Sequence, residues 1–134
     1  MCLLDFNKQV IYTTSMAITF LSIFVSNPAK PDIKKKVNCL VDSGAIYSVI
    51  PTKVLRKLGI KPGREREFTL ADGNTVVRKM SGARFEYSLR EGFAPVVFGE
   101  EKDSALLGAT ALEAMGVALN PLERKLIPLP MVLG

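Results

Sequence analysis

The sequence predicts an all-β lobe, closed or barrel-like, with one or two short helices. Apolar, strand-like runs alternate with turns rich in Gly, Pro and Asn over most of the 134 residues. Only Pro51–Leu58 and Ala109–Met115 have helical spacing, and each is followed by a glycine. Two separate stretches also share one plan, an apolar strand, a Gly-Ala turn, a short helix, then Leu/Met-Gly-Ile/Val. Repetition of this kind suggests one lobe made of two similar halves related by an approximate two-fold.

From Val10 to Ala29 no residue is charged. A membrane-spanning helix needs roughly 20 mostly apolar residues, and this window is diluted by Thr13, Thr14, Ser15, Thr19, Ser22, Ser26, Asn27 and Pro28. A secretory signal lacks a good small-x-small cleavage site here. The expectation is a first strand, Ala17–Val25, with an anchor over Val10–Val25 and membrane association kept as the alternative. Residues 1–15 are expected to be an N-terminal extension, and residues 16–134 the domain.

The other elements follow from local signals. Ser26–Asp32 reads as a turn and Lys35–Val41 as the partner strand. Ala45–Ile50 is expected to be a strand. The first helix is expected to be capped by Thr52, to pack Val54, Leu55 and Leu58 on one face, and to stop at Gly59. Glu65–Leu70 and Thr75–Met80 flank Ala71-Asp72-Gly73-Asn74 as a hairpin. Its Arg64, Arg66, Arg78 and Lys79 direct it into solvent. Ser81-Gly82 is expected to turn the chain into Ala83–Leu89, and Arg90-Glu91-Gly92 to close a hairpin with Phe93–Phe98. A charged loop, Gly99–Asp103, precedes the second helix, which Gly116 ends. After a turn at Asn120-Pro121, Leu126–Leu133 is apolar. Pro128 and Pro130 place it on an edge or at a chain–chain contact.

Composition narrows the chemistry. With 48% hydrophobic and 23% charged residues, the chain is globular. It has no histidine, which removes Ser-His and Cys-His nucleophilic schemes and the commonest zinc ligand. Its two cysteines, Cys2 and Cys39, make neither a metal site nor a disulfide framework. No metal and no cofactor is expected. A reducing, cytoplasmic location fits this usage. The net charge of +5 is spread along the chain, its densest run being Lys34-Lys35-Lys36, without interleaved aromatics. No nucleic-acid partner is expected.

The candidate chemistry lies at Leu40-Val41-Asp42-Ser43-Gly44-Ala45. An acid between two apolar runs is costly unless hydrogen bonds or function hold it there. A plain surface Asp-Ser-Gly turn is the alternative reading. Downstream, Leu106-Leu107-Gly108 leads into the second helix. This pair of motifs, in this order, resembles the retropepsin-like (retroviral-type, single-lobe) aspartic protease family, in its prokaryotic-type form.

The resemblance implies Asp42 as catalytic acid/base on an active-site turn of Ser43, Gly44 and Ala45. It also implies a flap between the motifs, with Asp72 and Gly73 as candidate tip. The second motif has Leu107 where an acid would be needed, so one chain holds half a dyad. A homodimer acting on polypeptide, as an aspartic endopeptidase with one Asp42 from each subunit, is therefore implied. The alternative is a catalytically silent retropepsin-like binding or dimerisation module. Two departures stand out. Ser43 replaces the usual Thr, keeping the hydroxyl and losing a methyl, and Ile46, Tyr47 and Ser48 stand where viral enzymes often carry acids.

Overall fold

Alternation of apolar and polar residues builds the first hairpin. In the computed structural model, which describes residues 18–129, β1 (Phe20–Asn27) turns Ile23 and Val25 inward and Phe20 and Phe24 outward. Its partner β2 (Lys30–Val41) buries Val37, Cys39 and Val41 at every second position. The expected turn over Ser26–Asp32 is reduced to Pro28-Ala29, so β2 begins five residues earlier than Lys35. Asn27 explains this, because its Oδ1 accepts the N–H of Ala29 over 2.9 Å and tightens the bend.

β3 (Ser48–Pro51), α1 (Thr52–Lys57), β4 (Glu65–Thr69), β5 (Thr75–Tyr87), β6 (Arg90–Gly99), β7 (Leu106–Leu107), α2 (Ala109–Met115), β8 (Val117–Asn120) and β9 (Lys125–Pro128) follow in order. One seven-stranded sheet runs β1-β2-β7-β3-β6-β5-β4, and β1 also pairs with β5. That extra pairing closes six strands into a barrel and leaves β4 outside it, as one arm of a hairpin. The described residues form the expected all-β, closed lobe with two short helices. Ile23, Val25, Cys39, Ile50, Leu55, Phe85, Val96 and Leu107 fill the interior.

Pairing also reveals the duplicated plan. Strand β2 runs parallel to β7, and β3 runs parallel to β6. The two strands that lead into the turns, β2 and β7, thus run side by side, and β3, which leaves the first turn, lies against β6, which precedes β7. β8 and β9 form a separate two-stranded sheet.

Several local expectations are corrected. Ala45–Tyr47 is loop, and β3 starts only at Ser48. Thr52 does not cap α1: Pro51 holds the N-cap position, and the Thr52 hydroxyl donates to the Gly99 carbonyl over 2.8 Å. Ser81-Gly82 does not turn the chain, because β5 runs unbroken through it while its partner changes from β4 to β6. The next turn lies at Ser88-Leu89, not at Arg90–Gly92. Gly92 serves packing instead, since a Cβ there would collide with the Ala114 backbone of α2. Pro128 pairs with Val117 at the end of the small sheet.

The apolar stretch from Phe20 onward is strand, and among the described residues no helix is long and apolar enough to cross a membrane. The expected extension at 1–15, the start of the expected first strand at Ala17, and the segment from Pro130 to Leu133 lie outside the described residues.

Candidate active site

Three strands and a helix position the Asp42 turn. At the end of β2, the Leu40 N–H donates to Ala105 and the Asp42 N–H to Leu107, both over 3.0 Å. Between them the Val41 N–H donates outward, to the Thr19 carbonyl, over 2.8 Å. The chain then reverses: the Ala45 N–H bonds the Asp42 carbonyl over 3.1 Å. The Gly44 N–H donates to Asp42 Oδ1 over 2.9 Å, which fixes the carboxylate over its own turn. Asp42 and Ala45 are half-buried, while Ser43 and Gly44 are exposed. The four expected turn residues are therefore together, on an outward-facing loop.

The second motif locks this loop from behind. β7 is wedged between β2 and β3, with Leu106 opposite both Leu40 and Val49. A helix's first N–H groups have no partner inside the helix, and here the loop supplies them. Ala109 N–H donates to the Ala45 carbonyl over 2.7 Å, and Thr110 N–H to the Ile46 carbonyl over 3.0 Å. The Thr110 hydroxyl donates to the same Ile46 oxygen over 2.8 Å. Gly108 allows this approach, because a Cβ there would stand 2.6 Å from the Tyr47 carbonyl oxygen. Leu107, the residue before Gly108, is fully buried. Cys39, two positions before Val41 in β2, is sealed in the core, and burial pushes its thiol up to about 12.

A recess of about 480 Å³ opens beside Asp42 and Ser43, walled by Leu112 and Glu113 of α2 and by Val117 and Leu119 of β8. A larger one, about 660 Å³, lies between α1 and the base of the β4–β5 hairpin, and Asp42 is not in its wall.

The β4–β5 hairpin pairs Thr69 with Thr75 and ends in the expected Ala71–Asn74 turn. Gly73 adopts a φ of 88° there, and Asp72 takes the Asn74 N–H over 2.9 Å and its amide over 3.0 Å. Both candidate tip residues thus hold the turn itself. Two contacts tie the hairpin to the lobe. Arg78 makes a two-point bond to Asp103, 2.7 and 3.2 Å, in the loop before the second motif. That hydrogen bond is the main reason the Asp103 carboxyl sits below its ordinary range. Arg66 donates to the Tyr47 hydroxyl, and its guanidinium lies 5.5 Å from the centre of that ring. Phe68 meets the same ring edge-on at 6.2 Å.

Sequence reasoning did not find Tyr47, Arg66, Asp103 or Ser48. Tyr47 and Arg66 are 19 positions apart, and Arg78 and Asp103 are 25 apart. No local pattern marks such pairs. The one available signal was the expected solvent-facing hairpin, whose arginines needed partners.

Solved structures resemble this chain at low identity. The solution structure of simian foamy virus (mac) protease is 17% identical, with 69% of this chain and 92% of that one covered and a TM-score of 0.47. A foamy viral protease-reverse transcriptase in complex with double-stranded DNA is also 17% identical, with a TM-score of 0.48. It covers 69% of this chain, which spans only 15% of its length. No curated protein matches the chain. One sequence family, described as aspartyl protease, matches residues 29–111, a span that holds the Asp42 turn, the hairpin and the second motif. That match covers more than half of the chain, and the chain belongs to the aspartyl protease family.

Proposed function

We propose that the chain is an aspartic endopeptidase that works as a homodimer, with Asp42 of each subunit as one half of the catalytic pair. The observation that carries this is the outward-facing Asp42, oriented by its own turn, in a lobe whose second motif buries Leu107 where a partner acid would stand. A second copy related by a two-fold supplies the missing carboxylate, and such symmetric pairs are the commonest oligomers.

Two close carboxylates cannot both ionise, so one keeps its proton; aspartic proteases are the standard example of this rule. The ionised member takes a proton from water as its oxygen attacks the scissile carbonyl carbon. The protonated member donates to the carbonyl oxygen, giving a tetrahedral diol. Collapse of the diol breaks the C–N bond, and the amine leaves with a proton from the dyad. Ser43 keeps a hydroxyl beneath the pair, Gly44 offers backbone to the substrate, and the β4–β5 hairpin, with Asp72 and Gly73 at its turn, closes over it.

Hydrolysis of an unfolded protein at mildly acidic pH tests this, with Asp42→Asn as control. The variant retains an oxygen for the Gly44 N–H, so fold and dimerisation should persist while the rate falls by about 10²–10⁴-fold. Specific activity of the parent should also fall on dilution below the dimer dissociation constant. Full activity in Asp42→Asn overturns the reading and leaves a retropepsin-like binding module.

A further inference from the structure

The loop that Asp42 opens ends at Tyr47, and Tyr47 forms one wall of a separate recess of about 390 Å³. Arg64 and Arg66, two positions apart, form the wall contributed by the hairpin, and Met80, Ser81 and Pro95 close it. The two guanidiniums differ from those of Arg78 and Arg84. Arg78 and Arg84 lie in carboxylate ion pairs, at 2.7 Å to Asp103 and 2.6 Å to Glu91. Among the described residues neither Arg64 nor Arg66 has a carboxylate within ion-pair distance. Glu65 is the one acid in the wall, and it pairs across the hairpin with Lys79 on the ladder.

Arg66 is nonetheless held in place. It is exposed, yet a hydrogen bond and the face of the Tyr47 ring fix its guanidinium, and Phe68 buttresses that ring. An immobilised guanidinium loses less rotamer freedom when it binds an anion, and its planar fork suits a carboxylate. A fixed, unneutralised cation at the end of the Asp42 loop is built to receive negative charge.

We propose that Tyr47, Arg64 and Arg66 form a specificity subsite for an acidic side chain of the polypeptide, Asp or Glu, at a fixed distance from the scissile bond. The proposal rests on the peptidase reading for its position relative to cleavage, though not for its affinity. Arg66 supplies the fork, Tyr47 aims it, and Arg64 adds charge from the rim. Neutral side chains leave both guanidiniums hydrated and contribute nothing to selection there.

The test uses the full-length Asp42→Asn chain and labelled eight-residue peptides in which one Glu is walked along a neutral sequence. Each is matched by its Gln counterpart and measured by fluorescence anisotropy. At one position Glu should bind about fivefold more tightly than Gln, a size in keeping with a solvent-accessible ion pair. The preference should shrink with added salt, weaken in Arg64→Gln and vanish in Arg66→Gln. Equal binding of Glu and Gln at every position overturns the subsite. So does a preference that survives both arginine substitutions together. The unsubstituted chain is then tried on the same peptides. Failure to cleave any of them, with the binding preference intact, defeats the peptidase reading and leaves the subsite standing. Cleavage of Glu and Gln peptides with equal kcat/KM defeats the subsite and leaves the peptidase.

Discussion

Gly108 donates its backbone N–H to the hydroxyl of Ser48 over 2.9 Å, a buried bond between residues 60 positions apart. It joins the second motif to the strand that leaves the Asp42 loop. Ser48→Ala should cost about 1–3 kcal/mol, because the Gly108 N–H is left buried without an acceptor. Gly108→Ala should cost a similar amount or more, since its methyl would stand 2.6 Å from the Tyr47 carbonyl and force α2 off the loop. Urea midpoints measured with an unchanged m-value give both figures. A Gly108→Ala chain as stable as its parent would show that α2 and the loop are not in contact.

Asp103 makes stability depend on pH. Its carboxyl is held below the ordinary value, first by the Arg78 hydrogen bond, against an opposing effect of burial. A depressed acid contributes fully above its unfolded pKa and loses that contribution as pH falls through the lower, folded one. Asp103→Asn should therefore destabilise the chain at neutral pH, by up to about 1 kcal/mol for a partly exposed pair. The difference from the parent should close as pH drops below about 4, the ordinary range of Asp. Urea midpoints at a series of pH values check this, and a gap that widens toward acid would contradict the pairing.

How far the sequence could be read depends on the range of the interaction. Runs rich in Ile, Phe and Val marked β1, and the apolar run ending in Val37, Cys39 and Val41 marked the end of β2. Asp72-Gly73 between two strand-like runs marked the β4–β5 hairpin, although β4 buries no residue. Gly59 and Gly116 both take positive φ, 74° and 70°, and end their helices as expected. Asp42, Ser43, Gly44 and Ala45 were legible as a turn because they are contiguous. Ser81-Gly82 and Arg90–Gly92 misled for the opposite reason. Glycine marks a turn in isolation, but Gly92 is fixed by Ala114 of α2, a neighbour that only the fold brings near. The same holds for Thr52, whose hydroxyl finds Gly99 in place of its own helix.

Cys39 should be chemically silent in the folded chain. Burial pushes its thiol up to about 12, so at pH 8 the thiolate fraction is on the order of 10⁻⁴ even before steric exclusion. In a Cys2→Ser background, Ellman's reagent should label no thiol on the minutes timescale until urea unfolds the protein. Prompt labelling under native conditions would mean that β2 opens, and with it the strand that carries Asp42.

Activity against pH is the sharpest check on the proposed pairing of two Asp42 carboxylates. The dyad works only while one member is ionised and the other is not. An isolated Asp titrates near ~3.9, and repulsion between two close carboxylates lifts one pKa above that and leaves the other below. The kcat/KM profile should be a bell on the acidic side of neutrality, with both limbs belonging to the pair. The chain has no histidine, so no imidazole limb near ~6.5 is superimposed. The acid limb has one rival cause, the loss of the Arg78–Asp103 bond that holds the hairpin base. Asp103→Asn separates the two: it should leave the limbs where they are if they come from the dyad, and shift the acid limb if the hairpin sets it. Profiles taken on protein confirmed folded and dimeric at each pH decide the matter. A rate that climbs steadily into alkali would mean that Asp42 is not half of such a pair.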